Sequence, residues 1–521
     1  MEKKKYLALF KSFEKASLES FVDTVLQGIS DEHRKMLKLY NVSFTYEPCI
    51  SSGILRLQAI FELAPTELHK CIDVVVELRL SGDIQERYYV LASYEDQRFK
   101  SSLQECIDYY DKDRGSKDKA DCLPRFKLPR LKILNEEVPY YGDADDDILK
   151  MRKIRKTLEE HGVNIEVDMP FFSNSSVAEF RIIPAPGVRL SRIKALSSEF
   201  TNELGVSGIR LRMDLRSHYV ALEIPKGNHH VLPVRSLFSS KAFRWTWAEL
   251  PLAIGMTTGH EERIIDLADA PHILVAGTSK QESSDFLHAM VASLLFKKHP
   301  SELRLVFVDT ESAGFCEYQR LNKHYLARLA NDPGTIASTA DEAASVLDGL
   351  CKEMDNRYGI MLSSAVRNIH DYNEITETRM PYIVCFIGEL ADLTDTLKVS
   401  KTTSRKITQS IVSLAKRGRA AGIHLVMATS RPSRNVITAS IKANVQTRIA
   451  FRTNSLEDSK TIIDMPGAEV LTGAGDLLLN REMITERIQG GYISSEEVTA
   501  IVDFISSQKG FNAPYDLLQQ L

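Results

Sequence analysis

Five continuous apolar runs, HILVAG, LRLVFVD, YIVCFIG, IHLVMAT and TRIAF, lie between His272 and Phe451, most of them separated by long stretches of helical periodicity. A strand that alternates apolar and polar residues shows one face to water, whereas a strand apolar at every position is covered on both. Runs of the second kind with helices between them predict an α/β fold: a parallel sheet with helices on its faces. The first run leads into AGTSKQESS (276–284) and then DFLHAMVASLLF, where Phe286, Leu287, Met290, Val291, Leu294 and Leu295 fall on one helical stripe. Ser284 or Asp285 is expected to cap that helix. Strand, short loop, helix is the setting of a phosphate-gripping loop.

Such a loop reads G-x-x-x-x-G-K-[ST]: backbone amides wrap the phosphates, the lysine neutralises charge and the hydroxyl holds magnesium. Laid on residues 277–284, the nucleotide-binding candidates are Gly277, Thr278, Ser279, Lys280, Gln281, Glu282, Ser283 and Ser284. Glu282 falls on the second glycine, Ser283 on the lysine and Ser284 on the magnesium hydroxyl. A carboxylate about 4 Å from a phosphate charge costs on the order of 4 kcal/mol at an intermediate dielectric, so Glu282 opposes what the loop is for. A second half of such a site lies after a later strand, where an acid orients magnesium and a following Glu polarises water. Here YIVCFIGEL supplies Gly388 and then Glu389; the first acid is absent, and Glu389 is the candidate catalytic residue or an inherited structural one.

The remaining chain bounds the function without naming it. At 521 residues several domains are expected, and 43% hydrophobic with 26% charged residues is globular composition. The net charge of −4 advertises no nucleic acid globally, and the seven cysteines contain no CxxC pair, so neither a zinc site nor a disulfide framework is expected. No window approaches a membrane span, so the protein is expected to be cytoplasmic. Residues 1–110 read as an N-terminal α+β domain, with a helix from Tyr6 to Ile29, alternating strands and a second helix SLQECIDYYDK; an unknown protein partner is its expected use. Residues 111–144 are charged and Pro-punctuated, as an exposed connector would be. A small α/β domain is expected at 145–235, a larger α/β domain carrying the apolar runs at 236–500 and a tail at 501–521.

PHILVAGT (271–278), EMDNRYGIM and VRNIHDYNE (353–374), YIVCFIGELADL (382–393), the long run 419–451 and GAEVLTGAGDLLL (467–479) resemble the motor domain of the FtsK/SpoIIIE DNA translocase family. APGVRLSRIKALSSEF (185–200) and YVALEIPKG (219–227) resemble the α/β domain that precedes it. The resemblance implies a RecA-like P-loop NTPase fold, a six-membered ring around double-stranded DNA and, in active members, ATP and Mg with ATP-driven translocation. Carried over, the family's loop glycines fall on Gly277, Lys280 and Glu282, its lysine on Ser283, its serine on Ser284, its Walker B acids on Gly388 and Glu389, and its Gln sensor on Ser430. The departures cluster on phosphate, magnesium and sensing while the scaffold segments are kept. That contrast points to a pseudo-ATPase that keeps the fold for ring assembly and DNA association beside an active partner. The alternative is an active translocase with an altered loop, using Lys280 for the missing lysine and Asp392 or Asp309 for magnesium. Lys398, Lys401, Arg405 and Lys406 either line a ring's channel and meet DNA phosphates or form a solvated helix start. Arg448 either reaches a neighbouring subunit's nucleotide or makes a structural salt bridge.

Overall fold

The computed structural model describes residues 39–49, 54–63, 71–81, 83–92, 123, 126–136, 144–166, 169–173, 177–214, 218–226, 231–310, 314–329, 336–376, 379–395, 398–482 and 484–517. The chain forms two compact units, Met1–Ala120 and Asp121–Leu521. In the first, β1 (Leu39–Cys49), β2 (Ile54–Leu63), β3 (Cys71–Ser81) and β4 (Asp83–Ala92) make an antiparallel meander in sequence order. Its register sets Phe61 against Val42 on one side and Ile72 on the other. The two helices expected in this unit lie outside the described residues.

The second unit opens with a small domain. Helix α1 (Ala144–Glu160) ends before Gly162, which takes φ +62°, a left-handed conformation that a glycine reaches without strain. Strands β5 (Phe171–Ser173), β6 (Val177–Ile182), β7 (Arg210–Asp214) and β8 (Tyr219–Pro225) form an antiparallel sheet in the order β5-β6-β8-β7. The helix expected over 191–204 is two pieces, α2 (Leu190–Lys194) and α3 (Ser197–Leu204). The break at Leu196 lets Leu190, Ile193, Leu196 and Phe200 all enter one core with Phe180 and Leu222. Residues 126–136 do not hang free as the connector composition suggested. Phe126 packs against His299 and Tyr325, Lys127 exchanges two hydrogen bonds with Gln508, and the Arg235 guanidinium donates to the carbonyls of Leu131 and Leu134.

The larger domain, called the motor domain after the resemblance above, is built on β9 (Leu232–Pro233), β10 (Pro251–Thr257), β11 (Glu262–Asp266), β12 (His272–Ala276), β13 (Leu303–Val308), β14 (Ala327–Arg328), β15 (Ile336–Ala337), β16 (Tyr382–Ile387), β17 (Ile423–Thr429), β18 (Thr447–Ala450), β19 (Asp476–Arg481), β20 (Ile484–Tyr492) and β21 (Tyr515–Asp516). The sheet order is β11-β10-β20-β19-β18-β12-β17-β16-β13-β15, with β9 alongside β20. From β18 to β15 every pairing is parallel; beyond β18 the strands β19, β20, β10 and β11 add antiparallel. This is the RecA-like α/β architecture expected, with an antiparallel extension that the apolar runs did not announce.

The doubly buried strands sort their side chains by parity. Ile273 and Val275 of β12 face a core with α4 (Lys280–Leu295), through Leu287, Met290 and Leu294. Leu274 and Ala276 face the opposite core, with Leu350 and Met354 of α5 (Ala340–Ser363) and Ile411 and Leu414 of α7 (Lys401–Arg417); the label α6 belongs to Leu390–Thr394 between them.

At the other end of β12 and β17 from the turn that leads into α4, two histidines are buried in this sheet. Leu425 N donates to His272 Nδ1 at 3.1 Å, and His424 Nδ1 lies 3.1 Å from the Pro271 carbonyl. Burial, and for His272 its neighbour His424, pulls their pKa values down, to about 3 for His272 and about 4 for His424. His288 on α4 is likewise held at about 4, by burial against the opposing pull of Asp309. Because the folded values lie below the unfolded one near 6.5, the unfolded chain binds the extra protons as pH falls. They therefore impose no proton-linked cost above about pH 6.5, and destabilise the fold progressively below it down to about pH 4, or about 3 for His272, each adding up to ~1.4 kcal/mol per pH unit to the slope. Urea midpoints of the full chain measured from pH 7.5 to 5 are expected to fall. In His424→Asn, whose side-chain amide keeps the donor toward Pro271, the slope should drop by up to ~1.4 kcal/mol per pH unit.

Candidate functional site

The turn between β12 and α4 is only Gly277, Thr278 and Ser279. Ser279, not Ser284 or Asp285, is the cap: its hydroxyl accepts from Glu282 N at 3.3 Å, and so nucleates the helix upstream of the expected start. Lys280, Gln281, Glu282, Ser283 and Ser284 are therefore helical rather than part of an open loop. Two amides of the turn that remains are already engaged. Gly277 N donates to Thr429 O at 3.3 Å and Thr278 N to Arg452 O at 3.0 Å, with the Thr278 hydroxyl on that same carbonyl at 3.1 Å. Gly277 must be glycine here for a packing reason, since a Cβ would fall 2.6 Å from that of Phe451.

The side chains on this first turn follow the same pattern. Ser283 is buried, its amide and hydroxyl both donating to Ser279 O. Gln281 binds Asp285 at 2.6 Å, and Lys280 is exposed at the first helical position. Glu282 places its own negative charge at the positive end of α4, with Oε1 near Gly473, 3.3 Å from where a Cβ there would sit.

Gly388 follows β16, its amide donating to Val308 O at 3.0 Å. A Cβ at Gly388 would meet Phe315 at 3.4 Å and Asp309 Oδ1 at 3.6 Å, so there is room for a side chain, and it would face Asp309. Asp309, at the end of β13, is buried with Oδ2 accepting from Gly314 N at 2.9 Å and Phe315 N at 3.1 Å. Ser284 Oγ borders the same spot beside Gly314. Asp392 is tied to Lys398 at 2.7 Å. Among the described residues no group of three or more His, Cys, Asp or Glu could hold a metal.

Glu389 caps α6 and is buried. Its Oε1 accepts from Ala391 N at 3.0 Å and the Thr429 hydroxyl at 2.6 Å; its Oε2 accepts from Ser430 N at 2.8 Å and the Ser430 hydroxyl at 2.6 Å. Both oxygens are thus used inside the protein, joining the ends of β16 and β17. Thr429, which sequence reasoning did not single out, joins the arrangement: its carbonyl accepts from Gly277 N and its hydroxyl donates to Glu389. Its only sequence signal was the end of an apolar run.

The basic candidates divide. Lys398 is half-exposed but paired with Asp392, whereas Lys401, Arg405 and Lys406 stand exposed on the N-terminal half of α7. Arg448 is turned inward, donating to the Ile462 carbonyl and to the Asp464 carboxylate, which Lys442 also holds.

The sequence matches the FtsK/SpoIIIE family over residues 233–434 and the FtsK alpha domain over 128–226. It is 33% identical over 414 residues to the DNA translocase FtsK of Caldanaerobacter subterraneus subsp. tengcongensis, covering 78% of this chain and 55% of the relative. It is 36% identical over 344 residues to the DNA translocase FtsK of Chlorobaculum tepidum, covering 65% of this chain and 42% of that one. The chain spans about half the length of the curated relatives it matches. Among solved structures the conjugation coupling protein TcpA of pCW3, in its monomer form, aligns with a TM-score of 0.49 at 22% identity over 69% of this chain and 100% of that one, which adds nothing to what the sheet order gives.

The Glu389 geometry makes a stability forecast that a purely catalytic role does not. Glu389→Gln replaces one acceptor by an amide that would face the Ser430 N–H, stranding a buried donor. It should lower the unfolding free energy by about 1–3 kcal/mol. A side chain used only to polarise water would leave urea unfolding within ~0.5 kcal/mol of wild type.

Proposed function

Because the chain belongs to the FtsK/SpoIIIE family, we propose that it is a pseudo-motor, a subunit that keeps the motor fold for ring assembly and non-specific association with double-stranded DNA beside an active partner. The observation that carries this reading is the closed turn after β12, with its amides at Gly277 and Thr278 given to carbonyls of Thr429 and Arg452. The residues present do not fit a magnesium nucleotide. No lysine stands where the β/γ-phosphates need one, Ser283 is buried in helix, Glu282 supplies a like charge, and Gly388 leaves Asp309 as a lone carboxylate held by two amides.

The active alternative would need Lys280 to reach inward from the first, exposed residue of α4. It would also need Asp309 or Asp392 to hold magnesium, yet Asp392 is paired with Lys398 and Asp309 already accepts from two backbone amides. Titration of the purified chain with MgATP in a calorimeter should give no heat of binding up to millimolar nucleotide, and phosphate release should not rise when duplex DNA is added. Micromolar binding with DNA-stimulated turnover would sink the pseudo-motor.

For DNA, support comes from the exposed cations of α7. Lys401 and Arg405 are four residues apart on one helix face, at the positive end of its dipole, an arrangement that is unfavourable unless an anion outside the helix compensates it. The relatives are named DNA translocases. The double substitution Lys401→Glu with Arg405→Glu should weaken duplex binding equally across unrelated sequences. If both side chains meet phosphates, it should also reduce the slope of log K against log salt by about 2. An unchanged slope would assign these residues to a solvated surface.

A further inference from the structure

The small domain and the motor domain meet across a set of buried charges that the nucleotide site does not use. At its centre is Arg487 on β20. Its Nε and Nη2 hold the two oxygens of Asp476 on β19 at 3.0 and 2.6 Å, and its Nη1 reaches Glu223 Oε2 on β8 of the small domain at 3.1 Å. Glu223 is also met by Arg210 Nη1 at 3.3 Å and Arg212 Nε at 3.6 Å. The side chains of Arg487, Glu223 and Asp476 are 3%, 1% and 2% exposed, so water does not share these contacts. A second bridge lies alongside: the Thr258 hydroxyl of the motor donates to Glu179 on β6 at 3.0 Å, and Arg212 reaches that carboxylate as well. Backbone is close too, with Gly208 against the Val470 carbonyl and Gly467 against the Arg210 side chain.

Ordinary interdomain surfaces are polar, wet and permissive of movement. This one sets a fully desolvated, bidentate arginine between two carboxylates, one from each domain. An opening motion takes Arg487 from Glu223, leaving that carboxylate to Arg210 and Arg212 and Arg487 to Asp476 alone, so a charge-assisted hydrogen bond formed out of water is lost. We propose that Arg487 locks the small α/β domain and the motor domain into one rigid body, so that any movement between them requires this triad to open first. Burial would raise the Glu223 carboxyl, but Arg210, Arg487 and Arg212 together overcome it and hold it below the usual carboxylate range, so it is charged at neutral pH. The lock extends toward the closed turn, because Asp476 Oδ2 also accepts from Thr472 N and Oγ1 at 2.9 Å, and the adjoining Gly473 lies beside Glu282. It goes beyond the pseudo-motor reading and stands whether or not nucleotide binds.

Hydrogen exchange on the full chain tests it. In the wild type the amides of β6 and β8 are expected to exchange at the same slow rate as those of β16 and β17. Arg487→Met should quicken β6 and β8 by roughly a hundredfold or more while β16 and β17 stay protected. Where that variant does not fold, Glu223→Gln, which keeps the shape and the Arg487–Asp476 pair, should give the same selective loss. Lys352→Met, which removes only an exposed pair with Asp348, should change neither region. Wild-type β6 and β8 exchanging far faster than the motor core, or unchanged protection in Glu223→Gln, would overturn the lock.

Discussion

Thr429 carries two hydrogen bonds on which the interpretation of the site rests. It ends β17, between β12 and β16, so its carbonyl lies within reach of Gly277 and its hydroxyl within reach of Glu389. A buried amide must have a partner. Where a phosphate does not supply one, the carbonyl ends of the two strands flanking β12 do: Thr429 at the end of β17, and Arg452 just beyond β18. Two such bonds are worth only about 1–3 kcal/mol together, which alone would not exclude a ligand. The heavier effect would be electrostatic: a Glu282 carboxylate about 4 Å from a phosphate charge would oppose it by an amount on the order of 4 kcal/mol, and Ser283 supplies no cation at the lysine position. Closure of the turn and this charge would act in the same direction, and the charge is the larger of the two.

Glu389 shows how an inherited residue type changes meaning with its partners. A carboxylate that polarises water needs an oxygen directed at the substrate. Here four donors from Ala391, Thr429 and Ser430 use both oxygens. The small Ser430 hydroxyl fits against Glu389 and closes the gap between strand ends. Residues 389 and 430 thus belong to one packed arrangement.

What was legible in the sequence was what depends on local periodicity. The apolar runs gave β12, β13, β16, β17 and β18 nearly to the residue, because a doubly covered strand has no polar alternation to blur it. The start of α4 was misplaced, because Ser279, Ser284 and Asp285 are all competent caps and only tertiary contacts decide between them. The carbonyl partners of Gly277 and Thr278 could not be read at all, since a backbone acceptor carries no residue signature and Arg452 lies 174 positions from Thr278. The antiparallel half of the sheet was missed for a related reason: β20 is half-exposed and mixed in character, ITERIQGGY, and reads as neither a buried run nor a clean alternation.

The contact between Arg487 and Glu223 spans 264 residues and is the extreme case of the same limit. Replacing such a cluster by packed hydrophobic residues is often neutral or stabilising, so stability alone does not account for it. What apolar packing cannot supply is a single orientation: a greasy interface tolerates sliding, whereas Arg487, fixed by its fork on Asp476, offers Nη1 to Glu223 in one direction. A motor that cycles gains from an interface with two nearly equal states. For the pseudo-motor proposed above, with no nucleotide to drive such a cycle, an interface with one state would hold the two domains in a single geometry.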